Sequence, residues 1–213
     1  MIHTYSVNDF PRSNERIKAL YKLAAGAAFL VGSAGATIAL INESLGAPIA
    51  LSAPTAIAIY FFLVKWVERD LWNNKLARSV LGITVPRVKG KYKGKVTSRH
   101  HNGKKIEENY EGDMFIFQTW STLSIEFVTE NTTSCSTGAF MTLSGSFFTL
   151  TLEYRVDPRN FKVQKNDAKR HTGISTMRFA MLDGEWDQSS VVEATYYTDH
   201  QQTGEIKLKL VKK

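Results

Sequence analysis

Two stretches without a charged residue near the N-terminus constrain this chain more than any other feature. The first covers residues 23–41, and a helix of these 19 residues spans roughly 28 Å at about 1.5 Å per residue, close to the thickness of a bilayer's hydrocarbon core. The second covers residues 49–64 and reaches a similar length when residues 46–48 are added. Because only a short break separates the two, their helices must run antiparallel. The sequence therefore predicts a transmembrane helical hairpin over residues 23–64.

Two other interpretations of these stretches carry less weight. A cleaved signal peptide fits poorly, because about twenty residues of mostly polar character precede the first stretch and a second stretch follows at once. A buried hairpin of a soluble protein stays open as an alternative, although soluble helices of this length usually present a polar face.

Basic residues flank the predicted hairpin on its outer sides, whereas the connecting turn carries only Glu43. By the positive-inside rule, this distribution places both termini in the cytoplasm and the turn outside. The chain then divides into a cytoplasmic N-terminal segment (1–22), the hairpin (23–64), a juxtamembrane helical stalk (65–86) and a cytosolic domain (87–213). The flanking cations are Arg12, Arg16, Lys18 and Lys22 on one side and Lys65, Arg69, Lys75 and Arg78 on the other.

Small residues recur every four positions in the first stretch. Such spacing forms one stripe along a helix, and in lipid a stripe of small residues lets helices approach closely. The stripe either packs against the protein's own second helix or packs between protomers of a homo-oligomer, and both arrangements stay open. These predicted helix-association residues are Ala24, Ala28, Gly32 and Ala36.

Beyond Pro86 the pattern changes from helical spacing to alternation of apolar and polar residues, which is typical of strands with one buried face. Eight strands with one apolar face each predict a closed antiparallel barrel or a tight two-sheet sandwich. A barrel of eight strands leaves room for side chains or one small ligand. The predicted strands cover residues 88–99, 105–119, 122–130, 134–145, 148–156, 172–181, 186–198 and 204–211.

Composition and motifs offer little support for catalysis. The chain carries 27 Lys and Arg against 20 Asp and Glu, a formal net charge of +7, and a single cysteine, which excludes a disulfide framework. It has no glycine-rich phosphate loop, no HExxH zinc motif and no nucleophile elbow. We therefore predict no enzymatic activity, no catalytic residue, no metal site and no cofactor.

Binding is better supported, because the predicted strands are rich in aromatic residues. A nucleotide ligand would need aromatic faces for its bases, hydroxyls or amides for their edges and a guanidinium for its phosphates. The alternative is that most of these aromatics belong to the core. In the strand over 186–198 the alternation does not decide whether Tyr196 or Tyr197 faces inward. On chemistry alone, the candidate ligand-binding residues are Tyr92, Trp120, Tyr154 and Arg178.

The order of a membrane hairpin and an eight-stranded domain, with GKYKG at 90–94, LDGEW at 182–186, YYTD at 196–199 and TGEI at 203–206, resembles a known family. It is similar to the CD-NTase-associated effectors of CBASS antiphage systems that carry two transmembrane helices and a β-strand-rich domain. Trp186, Tyr197 and Thr198 lie in the segments that carry the resemblance, and they complete the candidate ligand-binding set.

The resemblance implies a fold, a ligand and a mechanism. The fold is a lipocalin-like β-barrel behind a multi-pass anchor in the bacterial inner membrane. The ligand is a cyclic di- or trinucleotide made by a CD-NTase, and neither DNA nor RNA is a partner. Binding causes the membrane helices to oligomerise and to disrupt the bilayer, so that the infected cell dies before the phage matures.

The apolar inner faces of the strands also allow a second function. A membrane-tethered, lipocalin-like barrel would then hold a lipid or another apolar ligand, with no role in abortive infection. A panel of cyclic nucleotides, assayed for binding and for membrane integrity, distinguishes the two hypotheses.

Overall fold

The computed structural model describes residues 2–8, 15–45, 53–101, 105–144, 146–159, 170–182 and 185–211. The chain divides into two compact units. One is a helical unit formed by Arg12–Thr84. The other is a strand-rich unit formed by Met1–Pro11 together with Val85–Lys213.

The helical unit contains α1 (Glu15–Leu45), α2 (Ala53–Arg69), a 3-10 turn (Leu71–Asn73) and α3 (Lys75–Leu81). Helices α1 and α2 contact each other, and α1 also contacts α3. The Lys22 ammonium donates a hydrogen bond to the Val80 carbonyl oxygen (2.8 Å), which joins α1 to α3.

Helix α3 has a defined cap at each end. The Asn74 side chain accepts hydrogen bonds from the backbone N–H groups of Leu76 and Ala77, which are otherwise unpaired at a helix N-terminus. At the other end Gly82 has φ +74°, a left-handed conformation that glycine adopts at little cost. The predicted stalk over 65–86 therefore contains the end of α2, the 3-10 turn and a separate short helix.

One described helical stretch, residues 15–37 of α1, is long and apolar enough to cross a membrane, with 23 residues and a mean hydropathy of 1.3. The predicted first stretch falls largely within it. Helix α2 has 17 described residues, and the predicted second crossing stays a prediction. Residues 46–52, which contain part of that second stretch, lie outside the described residues.

The small-residue stripe lies on an exposed face of α1. The buried positions of α1 are Ala19, Leu23 and Ala27, and each of these lies one residue away from the spacing of the stripe. A Cβ added at Gly32 would meet nothing within 4 Å. Within one chain, the described contacts of the helical unit therefore leave the stripe uncovered. The exposed stripe residues are Ala24, Ala28, Gly32 and Ala36.

The strand-rich unit is built from one large sheet and confirms the predicted change to β-structure. Among the described residues it contains ten strands. These are β1 (His3–Asn8), β2 (Gly90–His101), β3 (Lys105–Gln118), β4 (Thr122–Val128), β5 (Thr132–Ser144), β6 (Phe147–Pro158), β7 (His171–Leu182), β8 (Glu185–Trp186), β9 (Val192–Thr198) and β10 (Gln202–Leu210).

Eight of the described strands form a continuous ring of antiparallel pairings. The order runs β2-β3-β4-β5-β6-β7-β9-β10 and returns from β10 to β2. Strand β1 lies between β4 and β5, antiparallel to the first and parallel to the second. Strand β8 pairs with β7 in a short hairpin. Side chains that alternate along each strand therefore point into a shared interior.

Two parts of this unit differ from the sequence prediction. The strand predicted over 186–198 is two strands, because the Asp187 carboxylate accepts hydrogen bonds from the Ser189 N–H and hydroxyl and forms a turn between β8 and β9. Strand β1 lies in the segment 1–22, where no strand was predicted.

One end of the sheet interior is filled by aromatic side chains, and we call it the packed end. Phe148 and Phe179 stack with ring centroids 4.6 Å apart, and Trp186 meets Phe179 edge-on at 5.5 Å. Tyr92 lies 5.6 Å from Trp186, and its hydroxyl donates to the Val88 carbonyl oxygen (2.6 Å). These four aromatic side chains are nearly or completely buried.

Candidate functional site

A cavity of about 850 Å³ occupies the opposite end of the sheet interior, which we call the open end. Its volume is in the range of sites that enclose a whole small molecule. The wall between the two ends is apolar and is formed by Met114, Ile125, Leu152, Met177 and Ile206. The polar lining comes from hydroxyl and amide side chains on several strands, namely Ser98, Asn109, Ser134, Ser136, Ser175, Thr198 and Gln202.

Three tyrosines from different strands meet in this cavity: Tyr110 from β3, Tyr154 from β6 and Tyr196 from β9. The side chains of Tyr110 and Tyr196 are close enough to affect each other electrostatically. Burial raises the pKa of Tyr110 and of Tyr154 well above the ordinary value, and the Tyr196 hydroxyl adds to the effect on both. The cavity is therefore lined by neutral phenols that can donate and accept hydrogen bonds.

Glycines on the neighbouring strands make room for two of these rings. Gly173 of β7 pairs with Tyr154, and a Cβ at that position would lie 2.6 Å from the tyrosine's Cζ and hydroxyl oxygen. Gly204 of β10 pairs with Tyr196, and a Cβ there would collide with the ring and with the Thr97 carbonyl. Each ring therefore lies against the neighbouring strand, as aromatic side chains do over cross-strand glycines. The other face of each ring is turned toward the cavity.

The charged side chains among the described lining residues are acidic, namely Glu108, Glu111 and Glu130, and no Lys or Arg is among them. Glu111 forms an ion pair with Lys93 (3.5 Å). The electrostatic character of the described cavity is thus neutral to negative, in contrast to the net positive charge of the whole chain.

A polar cluster lies where β7 begins and β9 ends. The rings of His171 and His200 are 5.2 Å apart, and His171 lines the cavity. The Asp199 carboxylate accepts hydrogen bonds from the Thr172 N–H and hydroxyl, both at 3.1 Å. Burial alone would raise the pKa of Asp199, but these bonds and the nearby histidines hold it below the ordinary value. The cluster keeps a carboxylate beside the cavity rim.

The structure places two of the seven predicted ligand-binding residues in the cavity lining, Tyr154 and Thr198. Tyr92 and Trp186 belong to the packed end. Trp120 is 3% exposed and lies outside the cavity lining.

Arg178 and Tyr197 are excluded from the cavity by strand alternation. Arg178 lies between the buried residues Met177 and Phe179, so its side chain is on the outer face, with the guanidinium carbon 3.8 Å from the centroid of the Phe147 ring. Tyr197 is 54% exposed. The structure thus resolves the alternative in β9: Tyr196 faces inward and Tyr197 outward.

The sequence reasoning did not select Tyr110 and Tyr196. In the structure the inward face of β9 runs through Val192 and Ala194 to Thr198, at every second residue, and so includes Tyr196. The sequence shows the glycines that pair with these rings, Gly204 with Tyr196 and Gly173 with Tyr154. It does not show which residues they pair with.

In the part of the chain that the structure describes, no group of three or more His, Cys, Asp or Glu side chains is placed to hold a metal ion. The lining groups found are suited to hydrogen bonding and to ring stacking. The predicted lack of catalytic activity and of a cofactor stays a prediction.

Comparison with known proteins points to the same part of the chain. The family model described as "Cap15, cyclic dinucleotide receptor domain" matches residues 83–210, which include every described residue that lines the cavity. The chain is also similar to the CD-NTase-associated protein 15 of Yersinia aleksiciae, with 29% identity over 142 residues, which are 65% of this chain and 62% of that protein. It therefore spans a little less than two thirds of that relative. The resemblance to CD-NTase-associated effectors is confirmed, and the chain belongs to the Cap15 cyclic dinucleotide receptor domain family.

Proposed function

We propose that this protein is an effector of a CBASS antiphage system and that its cavity binds a cyclic dinucleotide made by a CD-NTase. The observation that carries the proposal is the cavity of about 850 Å³ with three tyrosines, which lies wholly within the region that matches the receptor-domain family. The protein acts by binding and not by catalysis. The ring of eight strands is then a lipocalin-like barrel around one ligand.

The lining residues suit a nucleotide with two bases. Tyr154 and Tyr196 offer ring faces on which bases can stack, and each such contact is worth about 1–3 kcal/mol. Hydroxyls and amides such as Ser175, Thr198 and Gln202 can read base edges and hold ribose or phosphate oxygens. Because the described lining has no Lys or Arg, phosphate recognition in this proposal uses neutral donors.

The helical unit anchors the protein in the bacterial inner membrane. The uncharged stretch of α1 that starts at residue 23 provides the first crossing, and α2 provides the second. Cations flank both, so both termini and the strand-rich unit lie in the cytoplasm, where the nucleotide is made. The alternative of a soluble helical hairpin would leave the large apolar side chains Phe29, Leu30, Phe61 and Phe62, all about half exposed or more, in water.

Ligand binding leads to assembly through the helices. The stripe of Ala24, Ala28, Gly32 and Ala36 is exposed in the single chain, so it is available to a second copy, and small residues allow close helix contacts in lipid. A ligand can drive this assembly only through its higher affinity for the assembled state. Oligomers of the helices then disrupt the bilayer, which causes abortive infection.

A membrane-tethered carrier of a lipid or another apolar ligand is the second candidate. The apolar wall of the cavity, with Met114, Leu152 and Met177, is the observation that favours it. It predicts that a lipid co-purifies with the protein and that cyclic dinucleotides do not displace it.

The test is a titration of the full chain in liposomes with a panel of cyclic di- and trinucleotides built from A, G, C and U. We expect saturable binding of at least one dinucleotide and ligand-dependent leakage of a trapped dye. Gly32→Leu should keep binding but reduce leakage, and Ser33→Leu, one position off the stripe, serves as its control. Absence of binding across the panel would refute the proposal, and binding without leakage would refute its membrane part.

A further inference from the structure

Strand β1 occupies an unusual place in the sheet. Strands β4 and β5 pair directly only where Glu126–Val128 meets Thr133–Cys135, and beyond that point they separate. Strand β1 fills the separation, with His3 and Thr4 against β4 and residues 5–8 against β5. It is also the segment that precedes α1 in the chain, since β1 ends at residue 8 and α1 begins at residue 15.

The first anchor of β1 reaches the cavity wall. The His3 Nε2 atom lies 2.8 Å from the Ser136 hydroxyl oxygen, which also accepts a hydrogen bond from the Ile125 N–H (2.9 Å). Ser136 is 1% exposed and lines the cavity, next to the irregularity in the pairing of β5 with β6. One hydroxyl group therefore connects β1 with the wall of the cavity.

The second contact of β1 involves the Tyr5 hydroxyl. It links the two chain segments that connect the strand-rich unit with the helical unit. The Tyr5 hydroxyl donates to the Trp120 carbonyl oxygen (3.0 Å) and accepts from the Gln118 amide (3.2 Å). The same Gln118 side chain donates to the Pro86 carbonyl oxygen (2.9 Å) and accepts from the Val88 N–H (2.8 Å). Tyr5 and Gln118 are nearly buried, at 3% and 5% exposure.

This arrangement has a topological consequence. The polypeptide enters the helical unit after β1 and leaves it before Pro86. Both connections are held at Gln118, which is on β3, and β3 also supplies Tyr110 and Met114 to the cavity. A change in the position of β1 therefore alters the contact of His3 with the cavity wall. It also alters the hydrogen bonds that Gln118 makes at both connections.

From this geometry we infer that β1 is the element that couples occupation of the cavity to the helical unit. Because His3 of β1 is bonded to Ser136, whose side chain lines the cavity, a ligand that contacts this wall binds best when β1 is inserted, and its binding stabilises that state. The coupling is reciprocal, so loosening β1 lowers the affinity for ligand. This inference rests on the proposed function, since it needs a ligand in the cavity.

Hydrogen exchange of the full chain in lipid nanodiscs, followed by mass spectrometry, tests the inference. The probe is the tightest-binding cyclic dinucleotide of the panel. We expect the amides of residues 4–8 to exchange at least tenfold more slowly when it is bound. In Tyr5→Phe, which keeps the ring and loses the hydroxyl, we expect this protection to shrink and the affinity to fall at least fivefold. Ser6→Ala, at an exposed position of the same strand, should behave as the unmodified chain.

The outcomes distinguish a failure of the coupling from a failure of the proposed function. If a cyclic dinucleotide binds while exchange in β1 is unchanged and Tyr5→Phe keeps full affinity, the coupling is wrong and the proposed function stands. If no member of the panel binds, the proposed function is wrong and the coupling fails with it. His3→Ala gives an independent check, because it removes the contact with Ser136 and leaves the Tyr5 anchor in place.

Discussion

The packed end and the open end of the sheet interior are built from the same strands but are suited to opposite tasks. Along β6, Phe148 is fully buried against other rings, whereas Tyr154 lines the cavity. Along β9 the inward residues change from Val192 to Tyr196 and Thr198. One end therefore provides apolar burial that stabilises the fold, and the other provides polar groups and space. Stability and binding should respond to mutation separately at the two ends.

The largest expected effect is on stability at the packed end. Phe179→Ala removes a fully buried ring that stacks on Phe148 and meets the edge of Trp186. We expect the free energy of unfolding to fall by about 3–5 kcal/mol, as for other buried aromatic truncations. Urea unfolding of the full chain in detergent measures this loss. A loss below about 1 kcal/mol would show that this end is not the source of stability that we describe.

The second effect concerns affinity at the open end. Tyr154→Ala removes one stacking face, and we expect the affinity for cyclic dinucleotide to fall by about 1–3 kcal/mol, with a smaller loss for Tyr154→Phe, which keeps the ring. Calorimetric titration measures both. The matched control is Tyr197→Ala on the outer face of β9. If the control lowers affinity as much as Tyr154→Ala, the assignment of the inner face is wrong.

The third prediction uses one tyrosine from each end. Burial raises the pKa of Tyr92 and of Tyr154 above the ordinary value near 10. Above pH 10 the unfolded chain loses these protons while the folded chain keeps them, so stability present below pH 10 is lost as the pH rises. The expected slope is about 1.4 kcal/mol per pH unit for each tyrosine. When the free energy of unfolding is measured from pH 9 upward, its decrease per pH unit should be smaller in a Tyr92→Phe, Tyr154→Phe double variant than in the unmodified chain. An unchanged slope would contradict the burial argument.

The smallest effect is expected at a residue that belongs to neither end. Arg178 is exposed and packs over Phe147 on the outer face. Arg178→Ala should leave the affinity for cyclic dinucleotide unchanged within about twofold and should cost at most about 1 kcal/mol of stability, the range for exposed cation–π pairs. A tenfold loss of affinity in the same calorimetric titration would show that a guanidinium holds phosphate after all.

Local alternation predicted most of what the strands do. In β6 the apolar residues that alternate with polar ones, Phe148, Leu150, Leu152 and Tyr154, are all buried. Strands β2 to β10 all follow Pro86, where the pattern changes. Residue type alone was a poor guide to the site. Arg178 has the chemistry of a phosphate ligand, but its neighbours in the strand place it outside.

The rest depends on contacts between residues far apart in the chain. Strand β1 pairs in parallel with a strand more than 130 residues later, as Tyr5 does with Ala139, and no local pattern encodes such a pairing. The division between a packed end and an open end likewise follows from which strands are neighbours. For example, Gly173 of β7 leaves space for Tyr154 only because the two are paired.

The most direct test of the central claim is to map where the ligand lies. A cyclic dinucleotide that carries azidoadenine can be bound to the full chain in nanodiscs, activated by light and located by peptide mass spectrometry. We predict labelling of open-end residues such as Tyr154, Ser175 and Tyr196, and competition by unmodified ligand. Labelling at Trp186 and Tyr92 in the packed end, at Tyr197 on the outer face, or at no specific residue would contradict the account.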